Sequence, residues 1–257
     1  MELPIYQVDA FASGPFRGNP AAVCPLDAWL PDGLMQAIAE ENNLAETVFY
    51  VPEGTGYRIR WFTPTVEIKL CGHATLAAAS VIGSPLVTFQ SRSGELRVSS
   101  DGDRYTLDFP SLPAEPADEP EGLFAALGAT PNVLLNASCH LCVFEKEAQI
   151  LALNPNMFAL NQVDHFAVIA TAPGSDSDFV SRFFAPREGI PEDPVTGSAH
   201  STLIPYWSAS LGKKKMFARQ LSRRGGELWC EDRGDRVGIG GHVVRYLEGR
   251  ISVPDHF

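Results

Sequence analysis

The stretch WFTPTVEIKLCGHATLAA at residues 61–78 lines up with FFAPREGIPEDPVTGSAHSTLI at residues 183–204. Each copy runs aromatic-Phe-x-Pro, then a variable segment, then Gly-x-Ala opening a helical pattern. Gly72 and Gly197 lie about half a chain length apart, and the second copy carries three extra residues before its glycine. Self-similarity at such a distance is the mark of a duplicated unit, and it limits the fold to two related α/β halves. Chance is the competing reading, because Phe, Pro and Gly are common. If the halves face each other, the cleft between them is a favoured ligand site. Helices starting at Gly72 and Gly197 would point unpaired N–H groups into that cleft, which suits a carboxylate or an enolate-like anion.

The periodicity fills in each half. PIYQVDAF reads as a strand, GPFRGNP as a loop before a strand at 21–24, and PDGLMQAIAEENN as a helix with Leu34 and Ile38 inward. TVFYVPE and YRIRWFTP read as an antiparallel pair joined by a Gly-containing turn. GHATLAAASVIGS reads as a helix stopped by Gly83, and residues 86–110 as three short strands. PSLPAEPADEPEG at 110–122 is rich in proline and acid, and reads as a linker unable to join a strand or helix interior. It sets the expected halves at 1–112 and 113–257, with a C-terminal strand of about 245–257 packing back on the first. The second half is expected to hold a short helix around 121–128 and strands at 133–135, 139–145 and 166–170. Helices around 176–182 and 198–211 and hairpin strands over 216–252 complete it.

The 257 residues carry a formal charge of −11, which argues against a general nucleic-acid or anionic-membrane surface. The basic segment KKKMFARQLSRR at 213–224 reads as a solvated face. There is no apolar run of membrane-spanning length and no signal-peptide pattern at the N-terminus. Five scattered cysteines fit a reduced, cytoplasmic protein. Cys139-His140-Leu141-Cys142 lacks the second ligand pair that a zinc site wants, and ASCHLCVF reads equally as a buried strand. No HExxH or paired ligand spacing occurs, so no metal is expected.

Chemistry-bearing side chains gather near the two helix starts. Glu46 lies between a helix and a strand, where it reads as a surface acid, a helix-end residue, or a base that removes a proton from carbon. Cys71-Gly72-His73 opens one helix, and Asp193-Pro194-Val195-Thr196-Gly197-Ser198 leads into the other. Asp193, Thr196 and Ser198 also suit plain turn and capping roles, His73 suits a satisfied helix-start residue, and Cys71 a buried small one. A carboxylate base beside helix N–H groups would abstract a proton α to a carbonyl while those groups stabilise the developing charge.

The blocks VDAFASGPFRGNPAAV, NLAETVFY, WFTPTVEIKLCGHATLAAA and EDPVTGSAH, in this order and spacing, strongly resemble the PhzF-like isomerase family of phenazine biosynthesis. The resemblance runs from residue 6 to about 240. ARQLSRRGGEL matches a further block, with Leu221 where glycine is common. It implies an α+β fold of the diaminopimelate-epimerase type, with two pseudo-symmetric halves, each a curved, mostly antiparallel sheet around a central helix. It implies a homodimer, no metal and no organic cofactor. The family's reaction in phenazine synthesis is the isomerisation of a dihydro-hydroxyanthranilate. Residue by residue, the resemblance makes Glu46 the proton-abstracting base, with His73 and Asp193 as its catalytic partners. Gly72, Gly197 and Ser198 are then the substrate-binding positions. Related racemases use a cysteine from each half; Cys71 fits the first, but no cysteine lies near Gly197, which disfavours a two-thiol racemase. The expected activity is cofactor-independent proton transfer on a small carboxylate-bearing substrate. The alternatives are an epimerase using Cys71 and a non-catalytic binding protein on the same fold. Nothing in the chain ties it to an aromatic-ring substrate.

Overall fold

The computed structural model describes residues 1–164 and 166–254. The chain divides into two compact units: Met1–Asp108 together with the chain from Gly240 on, and Phe109–Ile239. The first boundary lies four residues before the expected 112/113, and the chain returns to the first unit from Gly240 rather than from about 245. Residues 255–257 of the expected C-terminal strand lie outside the described residues.

In the first unit, β1 (Glu2–Ala10) pairs antiparallel with β2 (Asn19–Pro25). Helix α1 (Asp32–Asn42) then leads to β3 (Glu46–Glu53), which runs parallel to β2. β4 (Gly56–Phe62) returns antiparallel to β3 and carries the two-residue β5 (Glu67–Ile68). Helix α2 (Gly72–Ile82) crosses to β6 (Leu86–Ser91), parallel to β4, and β7 (Gly94–Asp101) and β8 (Arg104–Pro110) follow antiparallel. Residues 243–252 pair antiparallel with β1 on its other side.

In the second unit, β9 (Glu115–Pro116), α3 (Leu123–Leu127), β10 (Val133–Asn136) and β11 (His140–Val143) come first. The short helices α4 (Glu147–Ala152) and α5 (Met157–Leu160) lead to β12 (Val168–Pro173) and β13 (Phe179–Phe184). Helix α6 (His200–Leu211), β14 (Lys215–Gln220) and β15 (Gly226–Asp232) follow, and β16 (Arg236–Ser252) begins in this unit and runs on into the first from Gly240. From β10 to β15 the pairing senses run antiparallel, parallel, antiparallel, parallel, antiparallel. The first unit runs the same way from β1 to β7. The repeat seen in one segment of sequence therefore extends to the strand topology of both units.

Each unit is built around a helix that is buried over much of its length. Residues Gly72–Ala79 of α2 are all buried, and the helix packs on β1, β2, β3 and β7. A helix without a polar face belongs inside, and its alanines let strands approach closely. Helix α1 is amphipathic instead, burying Leu34, Met35, Ile38 and Ala39 against Phe49 and Phe62 of β3 and β4. In the second unit, His200–Ile204 and Trp207 of α6 are buried.

Three expectations need correction. The helix expected around 176–182 is the strand β13: Phe179, Val180, Phe183 and Phe184 are buried, and a short apolar run of that kind does not separate strand from helix by period alone. The second repeat helix starts at His200, not Gly197, because residues 197–199 form a tighter turn, with His200 N–H bonded to Gly197 O at 3.0 Å. The proline-rich segment after residue 110 is not a free linker. Its β9 pairs with β10, Ser111 N–H binds Asp235 O, and Leu112 N–H binds Ser201 O, both at 2.9 Å. The last bond has a cause in α6. Pro205 has no N–H to give to Ser201 O four residues earlier, and Leu112 supplies the missing donor.

Candidate active site

In the first unit the start of β3, the start of α2 and the start of β2 converge. Helix α1 ends at Asn43 in the left-handed conformation (φ 47°), and three residues later Glu46 opens β3 in register with Ala21 of β2. His73 is the second residue of α2. Asn19 opens β2 after a tight loop in which Phe11, Phe16 and Gly18 all have positive φ. Gly18 is obligatory there: a Cβ would lie 2.2 Å from Ala10 O. Left-handed backbone at bulky residues costs energy and gathers at functional sites.

These elements bury Asn19, Glu46, Cys71 and His73 to 6% exposure or less. His73 Nε2 lies 2.9 Å from Glu46 Oε2, with the ring N–H turned off the carboxylate oxygen. His73 Nδ1 lies 3.2 Å from Asn19 Nδ2 and 3.5 Å from Cys71 Sγ. Thr75 Oγ1 donates to Cys71 O at 2.5 Å and fixes the entry to α2. Burial works to depress the His73 imidazole. The neighbouring Cys71 and Glu46 act the other way, outweigh it and hold the ring above its ordinary value. Burial and the Glu46 charge push the Cys71 thiol up to about 11, so it is neutral near pH 7.

Glu46, Cys71 and His73 offer three metal-ligating atoms within 4.8 Å of one another. Glu46, however, meets Nε2 and Cys71 meets Nδ1. One ion binds a histidine through one nitrogen, so this order suits a proton relay better than chelation.

The remaining expected residues belong to the second unit. Asp193 is partly buried on the loop between β13 and α6, Gly197 is buried in the turn before α6, and Ser198 is exposed. Thr196 Oγ1 donates to Asp193 Oδ2 at 2.5 Å. Gly72, the other expected binding position, is the buried first residue of α2. Sequence reasoning missed Asn19, whose Asn-Pro context reads as a loop breaker. It also missed Gln220, which is 1% exposed and bonds the Asp193 loop from β14. Asn19 opens a strand parallel to the one that Glu46 opens, and that placement is its only signal in sequence. Gln220 lies in the block ARQLSRRGGEL, but nothing in that block shows its reach to the Asp193 loop, which depends on the β13–β14 register.

Residues 8–249 match the family described as phenazine biosynthesis-like protein (PhzC-PhzF). An uncharacterized isomerase of Pseudomonas aeruginosa is 51% identical over 98% of this chain and 100% of its own length. A crystal structure of a PhzF-family phenazine biosynthesis protein from Enterococcus faecalis superposes with a TM-score of 0.96 at 44% identity, covering 98% of this chain and 100% of that one. A hydroxyproline epimerase from Agrobacterium vitis, solved with trans-4-hydroxy-L-proline, superposes at 0.59 with 10% identity, covering 99% of this chain and 94% of that one, and so shares the fold. The chain has the epimerase-type fold in two topologically repeated units.

Proposed function

The chain belongs to the phenazine biosynthesis-like family, and from that premise we propose that it is a cofactor-independent isomerase moving a proton between carbons of a small carboxylate-bearing substrate. The buried contact of 2.9 Å between Glu46 and His73 carries the reading. Glu46 takes the proton from a carbon next to a carbonyl or unsaturated group. His73, whose affinity for a proton is raised beside it, takes up charge as the proton moves and gives or passes a proton back. Asp193 is the second acid for the return step, and Gly72, Gly197 and Ser198 bind the substrate. Isomerase names among relatives and the epimerase-type fold support this chemistry. Five free, buried cysteines support a reducing, cytoplasmic setting, and the family resemblance supports a homodimer.

The test is deuterium uptake from D2O by a pooled small-carboxylate extract spiked with dihydro-hydroxyanthranilate, read by mass spectrometry without added metal or cofactor. Compounds should gain deuterium with the wild type and not with Glu46→Gln. Equal uptake with both would remove Glu46 as the base.

A second reading, an epimerase with Cys71 as one acid or base, rests on the 3.5 Å contact of its sulfur with His73. The raised thiol argues against it. With trans-4-hydroxy-L-proline and with any substrate from the screen, Cys71→Ser should keep exchange within about tenfold, short of the roughly 100-fold loss that removal of an acid or base brings.

A further inference from the structure

The loop that leads into α6 is tied down at nearly every residue. Arg182 grips Glu192 through two bonds of 2.6 and 3.0 Å. Asp193 N–H binds Phe183 O at 3.0 Å, and Ser222 Oγ donates to Pro194 O at 2.7 Å. His200 Nδ1 meets Thr196 O at 2.9 Å. Gln220 makes the most of these ties. Its Oε1 accepts from Thr196 N–H at 2.8 Å, and its Nε2 donates to Asp193 O at 2.9 Å and Thr196 Oγ1 at 3.2 Å. With Gln220 Nε2 donating into it, the Thr196 hydroxyl has its own proton committed to Asp193 Oδ2. A buried amide whose donors and acceptor are all used against one short loop orients that loop.

The first unit shows that this is an added device. Aligning Phe62 with Phe184 makes Ile59 the counterpart of Ser181. Ser181 pairs with Gln220, while the β4–β6 register, read one step on from Arg58 and Gln90, sets Ile59 against Ser91. Ser91 Oγ only closes its own turn, on Gly94 O at 2.8 Å. The longer loop carrying Asp193 and the amide that grips it are both features of the second copy.

We propose that Gln220 is the positioning residue for the Asp193 carboxylate, acting through Thr196 by aiming its hydroxyl at Asp193 Oδ2. The proposal rests on the reading of Asp193 as an acid in the reaction, and it is tested without turnover. Aspartate carboxyl carbons are labelled with 13C, the Asp193 signal is assigned by its loss in Asp193→Asn, and its titration is followed by NMR. A hydroxyl donor favours the ionised carboxyl, so Gln220→Leu should make Asp193 a weaker acid by roughly tenfold. Thr196→Val should do the same, and the double variant should add nothing, because both act on one bond. Gln220→Met, closer in shape, serves if the leucine variant unfolds. An unmoved Asp193 titration in the Gln220 variants, or shifts that add in the double variant, would overturn the proposal. Shifts as expected, with deuterium exchange intact in Asp193→Asn, would leave the clamp standing and remove Asp193 from the reaction.

Discussion

At the scale of single residues, duplication lets the same bond be compared in two chemical forms. Thr75 and His200 hold the same place in the two repeats, and each side chain meets the carbonyl four residues back, Cys71 O and Thr196 O. Around that shared anchor the reactive groups differ. Glu46 opens β3, and its counterpart by strand register before β12 is Ala167. His200 itself is fully buried, with Nδ1 committed to Thr196 O and its ring beside Phe179. Burial lowers it from 6.5 to about 4, so it is neutral at pH 7. Between those two values the unfolded chain binds a proton that the folded chain refuses, so stability falls as pH drops from 6.5 toward 4. The integrated loss is about 3 kcal/mol. His73 acts in the opposite sense, since its raised value stabilises below 6.5 and fades as pH rises through the folded value. The difference between wild type and His200→Gln isolates His200. Urea midpoints measured from pH 7 to 4 should fall less steeply for the variant, and parallel curves would show that His200 does not titrate as buried.

At the scale of elements, α2 holds His73 on a tightly packed support. Ala74, Ala77 and Ala78 of α2 have no exposed surface, so the sheet leaves no room for longer side chains. Ala78→Leu should cost about 1–3 kcal/mol in urea unfolding through overpacking. Ala37→Leu, on the half-buried side of α1, should stay within roughly 0.5 kcal/mol. Equal losses would mean that α2 is no more confined than α1. Most elements were legible in sequence where local chemistry spoke clearly, as with Gly83 ending α2 at φ 73° and the turn between β3 and β4. β13 was not legible, because Phe179–Phe184 is buried on both faces and so shows no alternation. The segment after Pro110 misled for another reason: proline forbids the strand interior, but not a two-residue strand or a donor for α6.

At the scale of the molecule, the repeat in sequence foretold the repeat in strand pairing, since both record one unit used twice. What the repeat could not foretell is how the units diverged, because that resides in side-chain reach across strands. The Glu46–His73 contact was half legible: the two residues stood out by type, and their meeting depends on the parallel β2–β3 register and the entry to α2. The Gln220 grip on the Asp193 loop was not legible at all.

The central claim is that Glu46, buried against His73, removes the carbon-bound proton. Its most direct test is the single-turnover rate of exchange of that proton, measured by rapid quench in D2O on the substrate found by the screen. Glu46→Gln keeps the size of the side chain and removes the base, so the rate should fall by roughly 100- to 10,000-fold with the thermal midpoint preserved. A folded Glu46→Gln protein that exchanges within about tenfold of the wild-type rate would contradict the account.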